Sequence, residues 1–261
     1  MRVGNNYAFN RFFKNKTDEM NDQYQLENAT VEGVGSKTLI LLFTTLVTSM
    51  IFIGLTVRFG INILLYIFSG IFTFVLQLII CFSPRKAKSL AIPYAVSEGL
   101  VIGSLCGLLE LVLPGMGLQI SGIALLVTLS VFAGAIFVYR KGYITVNRRF
   151  RGFLLAFSLG ALIFSCVFGI MSLITFLTSG INLWSMFYFS GLGIIGAVIM
   201  CFIAALYVIA SLGTADQLIQ SGASKEYEWY ASYAITLNVI YLFLEILRLI
   251  LLIVQRSNKN R

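Results

Sequence analysis

Acidic side chains lie in or close to long apolar stretches of this sequence, where ionised groups are costly. Glu98, Glu110 and Glu245 fall within such stretches, and Asp216 comes four residues after the run CFIAALYVIASL. A charge at bilayer depth costs about 2.5–3.5 kcal/mol on insertion scales, so such groups normally face the protein interior or a water-filled cavity. Carboxylate oxygens in that setting are ligands for hard cations such as Ca²⁺. The acidic groups therefore indicate ion binding or ion passage.

The polar groups inside the apolar stretches fall at two predicted depths. Glu98 and Asn238 each come about eight or nine residues after the start of a stretch, which places both roughly 12–14 Å deep at the helical rise. Glu98 has no cationic residue at its level, so it is either protonated or lines a wet cavity. Glu245 and Arg248 lie three residues apart on one helix and can pair. With Glu110 they form an outer level. A structural set of ion pairs that neutralises itself explains this level as well as ion binding does.

Several catalytic chemistries are excluded or disfavoured by residue type. The chain has no histidine, which excludes a histidine base and a histidine metal ligand. An aspartyl protease needs two aspartates, and only Asp216 lies in or close to an apolar stretch. The segment GLGIIG matches a dinucleotide fingerprint but follows no strand, so we interpret it as a helix contact. The four cysteines lie in apolar stretches without Cys-x-x-Cys spacing and are expected to pack: Cys81, Cys106, Cys166 and Cys201. We therefore predict neither an enzyme nor a resident cofactor; transient Ca²⁺ is the only ligand suggested.

Glycines recur every four residues in EGLVIGSLCG. Gly99, Gly103 and Gly107 leave one helix face almost without side chains. Small residues at this spacing allow two helix backbones to approach closely in a membrane. The segment predicts the contact face of a tight helix bundle.

Composition identifies the elements that must position these groups. Of the 261 residues, 58% are hydrophobic and 11% charged, whereas a soluble domain averages roughly 45–50% apolar and about 25% charged. The chain is therefore predicted to be an all-α integral membrane protein, because only helices satisfy their own backbone in lipid when the alternation of a barrel is absent. Seven spans are long enough to cross the bilayer. They are predicted at about 38–57, 61–82, 90–113, 118–139, 153–177, 184–212 and 229–254.

Three regions follow from these spans. Residues 1–36 form a polar leader without a cleavable signal peptide, with a short interfacial helix around AFNRFFKN. Residues 37–254 form the transmembrane domain, and residues 255–261 form a short tail. Trp184 and Trp229 are predicted interfacial anchors at opposite ends of the bundle.

Cationic residues predict the orientation. With the N-terminus inside, the inner segments hold 14 of the 19 lysines and arginines, the pattern of a cytoplasmic face. The prediction is a multi-pass plasma-membrane protein with its N-terminus in the cytoplasm and its C-terminus outside. The net charge of +8 then reflects topology and contact with anionic lipid, and nucleic acid is not an expected partner.

The C-terminal third resembles a known family. ADQLIQ followed by EWYASYAITLNVIYLFLEILRLI is similar to the Bax inhibitor-1 family, and in particular to its bacterial branch; YAVSEGLVIG shows a weaker similarity. The resemblance implies a seven-transmembrane-helix bundle of the Bax inhibitor-1 type. It also implies a pH-sensitive calcium leak whose closed state is linked to two aspartates, one at the end of span six and one in span seven.

This sequence departs from that pair of aspartates. Asp216 matches the first position, whereas Asn238 occupies the second. Two adjacent carboxylates share a proton because both cannot ionise side by side. An Asp–Asn pair can hydrogen-bond but titrates as a single group, so the pH switch is not predicted for this chain.

The depth of Asp216 depends on where span six begins. A helix unbroken from Trp184 would carry Asp216 about 48 Å away, beyond the lipid, and make it a solvated turn residue. A helix that begins near Gly191, after an interfacial segment INLWSMFYFS, would leave Asp216 at the inner mouth. A hairpin centred near residues 225–227 would then bring it level with Asn238. The resemblance favours this second arrangement.

Two functions remain as hypotheses. The first is a passive Ca²⁺ leak through the bundle, with Asp216, Asn238 and Glu98 along the path. The second is a non-conducting regulator that binds another membrane protein, such as a protease or an assembly factor, through the glycine face and the basic loops. A proton-linked exchanger that carries its proton on Glu98 is a variant of the first. The sequence predicts no oligomeric state.

Overall fold

The computed structural model describes residues 28–60, 63–180 and 191–259. The predicted interfacial helix at AFNRFFKN, the anchor Trp184 and the segment INLWSMFYFS lie outside the described residues. Seven α-helices and one 3-10 turn (Pro84–Lys86) make up the described chain. The helices are α1 (Val31–Phe59), α2 (Ile63–Phe82), α3 (Ala87–Val112), α4 (Gly117–Arg140), α5 (Arg148–Ser179), α6 (Gly191–Gln220) and α7 (Tyr227–Lys259).

Each of these seven helices is long and apolar enough to cross a membrane. They contain between 20 and 33 residues, and a helix needs about 20 apolar residues to span the hydrocarbon layer. The large hydrophobic side chains exposed on their surfaces suit contact with lipid. The predicted all-α, seven-span membrane protein is confirmed.

Two of the helix boundaries that differ from the predicted spans affect the polar groups. The helix α1 begins at Val31 rather than near 38, because Thr30 caps it by accepting a hydrogen bond from the Gly33 amide at 3.0 Å. The helix α6 continues through Asp216 and ends at Gln220 rather than near 212. Gly222, with a φ of 68°, provides the left-handed residue that ends it.

The helix α7 occupies the centre of the bundle. It packs against α6 in an antiparallel hairpin and also against α1, α3 and α4. Its buried positions include Ile235, Val239 and Leu242, which belong to the main hydrophobic core. In contrast, α5 lies at the edge beside α6, and only Leu154 and Ser172 of its residues are buried.

The glycine face of α3 lies against α1. A Cβ atom at Gly99 would come within 2.6 Å of the Thr45 carbonyl oxygen, and one at Gly103 would overlap the backbone of Ser49. Gly107 meets the side chain of Thr56 in the same way. The glycines therefore allow the close approach of two helices inside the bundle, and this face is not free to bind a partner.

Candidate functional site

A cavity of about 450 Å³ opens between α1, α4, α6 and α7. We call it the basal cavity. It lies at the end of the bundle where α4 finishes and α7 starts, which we call the basic end because most of the described cationic residues lie there. Its walls are largely apolar, and its polar lining residues are Thr38, Tyr139, Arg140 and Asp216.

Asp216 is a helical residue that lines this cavity. It is half-buried and lies four residues before Gln220, the last residue of α6. Its Oδ2 atom accepts a hydrogen bond from the Tyr139 hydroxyl at 2.6 Å. A hydrogen bond to a carboxylate is shorter and stronger than one between neutral groups. Asp216, which the sequence places in the hydrophilic segment between spans six and seven, thus lies on α6 in the wall of the basal cavity and is not part of the turn.

The loop between α4 and α5 fixes the part of α6 that carries Asp216. Gly213 lies directly against the side chain of Val146, where a Cβ atom would not fit. One turn further on, the Gln217 amide donates to the Val146 carbonyl oxygen at 3.3 Å, and the Arg151 guanidinium donates to the Gln217 side-chain oxygen. These contacts flank Asp216 on both sides and set its position relative to Tyr139.

Asn238, the predicted partner of Asp216, lies elsewhere. Its side-chain amide donates to the Tyr207 carbonyl oxygen at 3.3 Å. Tyr207 precedes Asp216 by nine residues on α6, which is about 13–14 Å along the helix. The structure therefore does not bring Asp216 and Asn238 together, and the predicted latch between them is corrected.

The register of the α6–α7 hairpin explains this correction. The contact between Tyr207 and Asn238 centres the hairpin between residues 222 and 223, whereas the prediction centred it near residues 225–227. When the centre of a hairpin shifts, the residue on one helix that faces a given residue on the other shifts by twice as much. The pairing of α6 with α7 therefore differs from the prediction by about seven residues, or two helical turns. Asp216 consequently lies level with the start of α7 instead of its middle.

Glu98 is half-buried on α3 and does not line the basal cavity. Within the described part of the chain its carboxyl group makes no hydrogen bond or ion pair. It lies close enough to Tyr94 and Tyr233 to interact with them electrostatically. Those two rings meet edge to face with centroids 4.8 Å apart. Glu98 is thus a second acidic position, deeper in the bundle than the cavity.

The outer acidic groups have structural partners. Glu245 is buried and pairs with Arg248 across 3.4 Å, as their spacing predicts. The two carboxylate oxygens of Glu110 accept the backbone amides of Gly115 and Leu118 at 2.7 and 2.8 Å. The first amides of a helix have no intrahelical partner, so Glu110 caps α4 and, contrary to the predicted set of three residues, does not join the ion pair of Glu245 and Arg248.

Sequence reasoning missed Glu228. This carboxylate is fully buried at the start of α7, where it accepts hydrogen bonds from Thr30 and pairs with Lys37. It belongs to EYEWYA, which looks like the end of a hydrophilic turn. The one signal available was its place in the first turn of a span beside Trp229, because acids there favour the helix N-terminus.

The donor set of the cavity is smaller than that of a high-affinity metal site. Among the described residues no three His, Cys, Asp or Glu side chains come together as a metal site. High-affinity Ca²⁺ sites use six to eight oxygen ligands, whereas among the described residues the cavity is lined by one carboxylate, one phenol and one threonine hydroxyl, together with the cationic Arg140. A cation there would keep much of its water, as a transient ion does.

A helical bundle with seven membrane-spanning segments and acidic groups at its core defines a multi-pass membrane protein. The family model described as Bax inhibitor 1 like matches residues 10–255. The chain belongs to this family. No curated protein and no solved structure matches it significantly.

Proposed function

We propose that the protein is a passive cation leak that conducts Ca²⁺ through its helix bundle. In this proposal the basic end faces the cytoplasm and the basal cavity is the inner mouth of the path. Asp216 attracts the cation there, and Glu98 is the next acidic position along the path. No step requires catalysis or a bound cofactor.

The observation that carries the proposal is the half-buried carboxylate of Asp216 in a cavity at the end of the bundle. An acidic group at the mouth of a narrow path raises the local concentration of cations and favours their entry. A single carboxylate binds a divalent ion weakly enough to release it, which conduction requires. Membership of the family adds support, since the resemblance implies a calcium leak.

Flux through purified protein in liposomes tests this function. We expect Asp216→Asn to lower the Ca²⁺ flux about tenfold or more, because the cavity loses the one carboxylate that lines it among the described residues, and with it the electrostatic attraction for the cation. The matched control is Glu226→Gln, which removes an exposed carboxylate at the same end of the bundle. Flux that is equal in the native protein and Asp216→Asn would remove Asp216 from the mechanism, and protein that conducts nothing would end the proposal.

A second candidate is a non-conducting regulator that binds another membrane protein. The exposure of α5 favours it, since this helix presents nearly its whole apolar surface outside the bundle. The glycine face cannot serve as its docking surface because α1 covers it. Recovery of a stoichiometric membrane partner, together with absent Ca²⁺ flux, would favour the regulator over the leak.

A further inference from the structure

The start of α1 is tied to the α6–α7 turn by contacts between distant parts of the sequence. We call residues 28–37 the strap. Asn28 pairs with Ser224 as an isolated antiparallel bridge. Beside it, the Ala29 amide donates to the Ala223 carbonyl oxygen at 2.8 Å. The strap is therefore joined to the α6–α7 turn through backbone hydrogen bonds.

The Glu228 carboxylate at the start of α7 contacts the strap through hydrogen bonds and an ion pair. Its Oε1 atom accepts hydrogen bonds from the Thr30 amide at 2.8 Å and from the Thr30 hydroxyl at 3.2 Å, and its Oε2 atom pairs with the Lys37 ammonium group. The carboxylate is fully buried, and Gly33 passes over it so closely that a Cβ atom would overlap it. Every polar contact that is described for this carboxylate goes to the strap.

The strap and the turn of α1 that follows it are also a wall of the basal cavity. Val31, Val34 and Thr38 line that cavity. The Ser232 hydroxyl of α7 adds a further tie by donating to the Val34 carbonyl oxygen at 2.8 Å. One short segment is thus both the lining of the cavity and the element that Glu228 holds.

We propose that the strap is a gate over the basal cavity and that Glu228 is the latch that keeps it closed. A buried carboxylate without its cation is strongly destabilising, so the pair with Lys37 favours the closed position. The contacts lie at one end of α1, and their release would move that end while the glycine face keeps the rest of α1 on α3. The effect on Ca²⁺ passage rests on the proposed function, whereas the movement itself does not.

Reactivity of a cysteine at position 38 tests the movement. In a background with the four native cysteines replaced, Thr38→Cys places a thiol in the cavity wall, where the native side chain is only 5% exposed. We expect Glu228→Gln to raise its rate of reaction with a water-soluble maleimide about tenfold or more, because the amide leaves Lys37 without its counter-charge. Lys37→Gln, which breaks the pair from the other side, should give the same rise. Equal rates in the native and both variant backgrounds would overturn the proposal.

The exposed pair at the same end provides the matched control. The Lys88 Nζ and Glu226 Oε1 atoms are 3.4 Å apart. Both side chains are exposed, that of Lys88 to 59% and that of Glu226 to 50%. Exposed ion pairs contribute little to stability. Glu226→Gln should therefore leave the reactivity of the Thr38→Cys thiol unchanged. A rise as large as that of Glu228→Gln would show that any charge change at this end loosens the strap, and it would remove the latch role.

A reversible cross-link tests the consequence for conduction. Asn28→Cys with Ser224→Cys places two thiols across the antiparallel bridge, where opposed Cα atoms lie within disulfide range. We expect Ca²⁺ flux in liposomes to fall when this pair is oxidised and to return with reductant. Unchanged flux in the fully cross-linked protein would overturn the gate. If no variant conducts, the leak function fails, and the maleimide rates still decide whether the strap moves.

Discussion

Asp216 shows how one carboxylate differs from two in the same cavity. A pair of adjacent aspartates can share a proton, which raises one pKa of the pair towards neutral pH. Here the hydrogen-bond partner of Asp216 is the Tyr139 hydroxyl, which donates to the Asp216 carboxylate. Asn238 on α7 bonds the carbonyl oxygen of Tyr207, which lies two and a half helical turns before Asp216 on α6. The residue-level chemistry is that of one carboxylate, hydrogen-bonded by a tyrosine, in the wall of the basal cavity.

Restoring the second aspartate provides a test of this register. We expect Asn238→Asp to create no proton-sharing pair with Asp216, because the new carboxylate would face the Tyr207 carbonyl oxygen. Thermal unfolding in detergent should show a loss of about 1–3 kcal/mol, since the buried acceptor loses its donor. Asn238→Leu, which removes the bond without adding charge, separates the two costs. A pH dependence of flux that appears in Asn238→Asp and disappears when Asp216→Asn is added would contradict the register.

At the level of elements, the pairing of α1 with α3 depends on an absence of side chains. Gly103 faces the backbone of Ser49, which cannot rotate away as a side chain could. We expect Gly103→Ala to destabilise the purified protein by about 1–3 kcal/mol, the usual cost of overpacking. Gly122→Ala on α4 is the matched control: no heavy atom lies within 4 Å of its Cβ position. It should leave the unfolding temperature unchanged or raise it, because alanine favours a helix.

The sequence predicted the spans well and their ends less well, for a physical reason. Hydropathy reports the length of chain that prefers lipid, and that length is given by the bilayer. A helix continues beyond the lipid when capping groups satisfy its terminal amides, as Thr30 does for α1. At the C-terminal end of α6 the groups to be satisfied are carbonyls instead: the amides of Ser221 and Ala223 donate to the Gln217 and Leu218 carbonyl oxygens, so the last two turns are polar and yet helical. The position of Asp216 depended on those turns.

At the level of the whole molecule, the contacts that position the site join residues far apart in the sequence. Glu228 meets Thr30 and Lys37 across 198 and 191 positions. No local pattern predicts such a meeting, because each residue by itself looks like a solvated charge beside a span. The spacing of the α3 glycines, in contrast, predicts a contact face from one helix alone. Local periodicity is therefore visible in the sequence, whereas the partners of a buried ion are not.

The cationic loops predict the orientation of the whole molecule in the membrane, and this prediction is open to direct measurement. Lys141 and Lys225 lie exposed at the basic end, whereas Arg58 and Met116 lie exposed at the opposite end. In a background without native cysteines, we expect a membrane-impermeant maleimide added to intact cells to label Arg58→Cys and Met116→Cys. It should label Lys141→Cys and Lys225→Cys only after the membrane is opened, because positive segments stay in the cytoplasm. The reverse pattern would place the basal cavity outside and turn the proposed leak around.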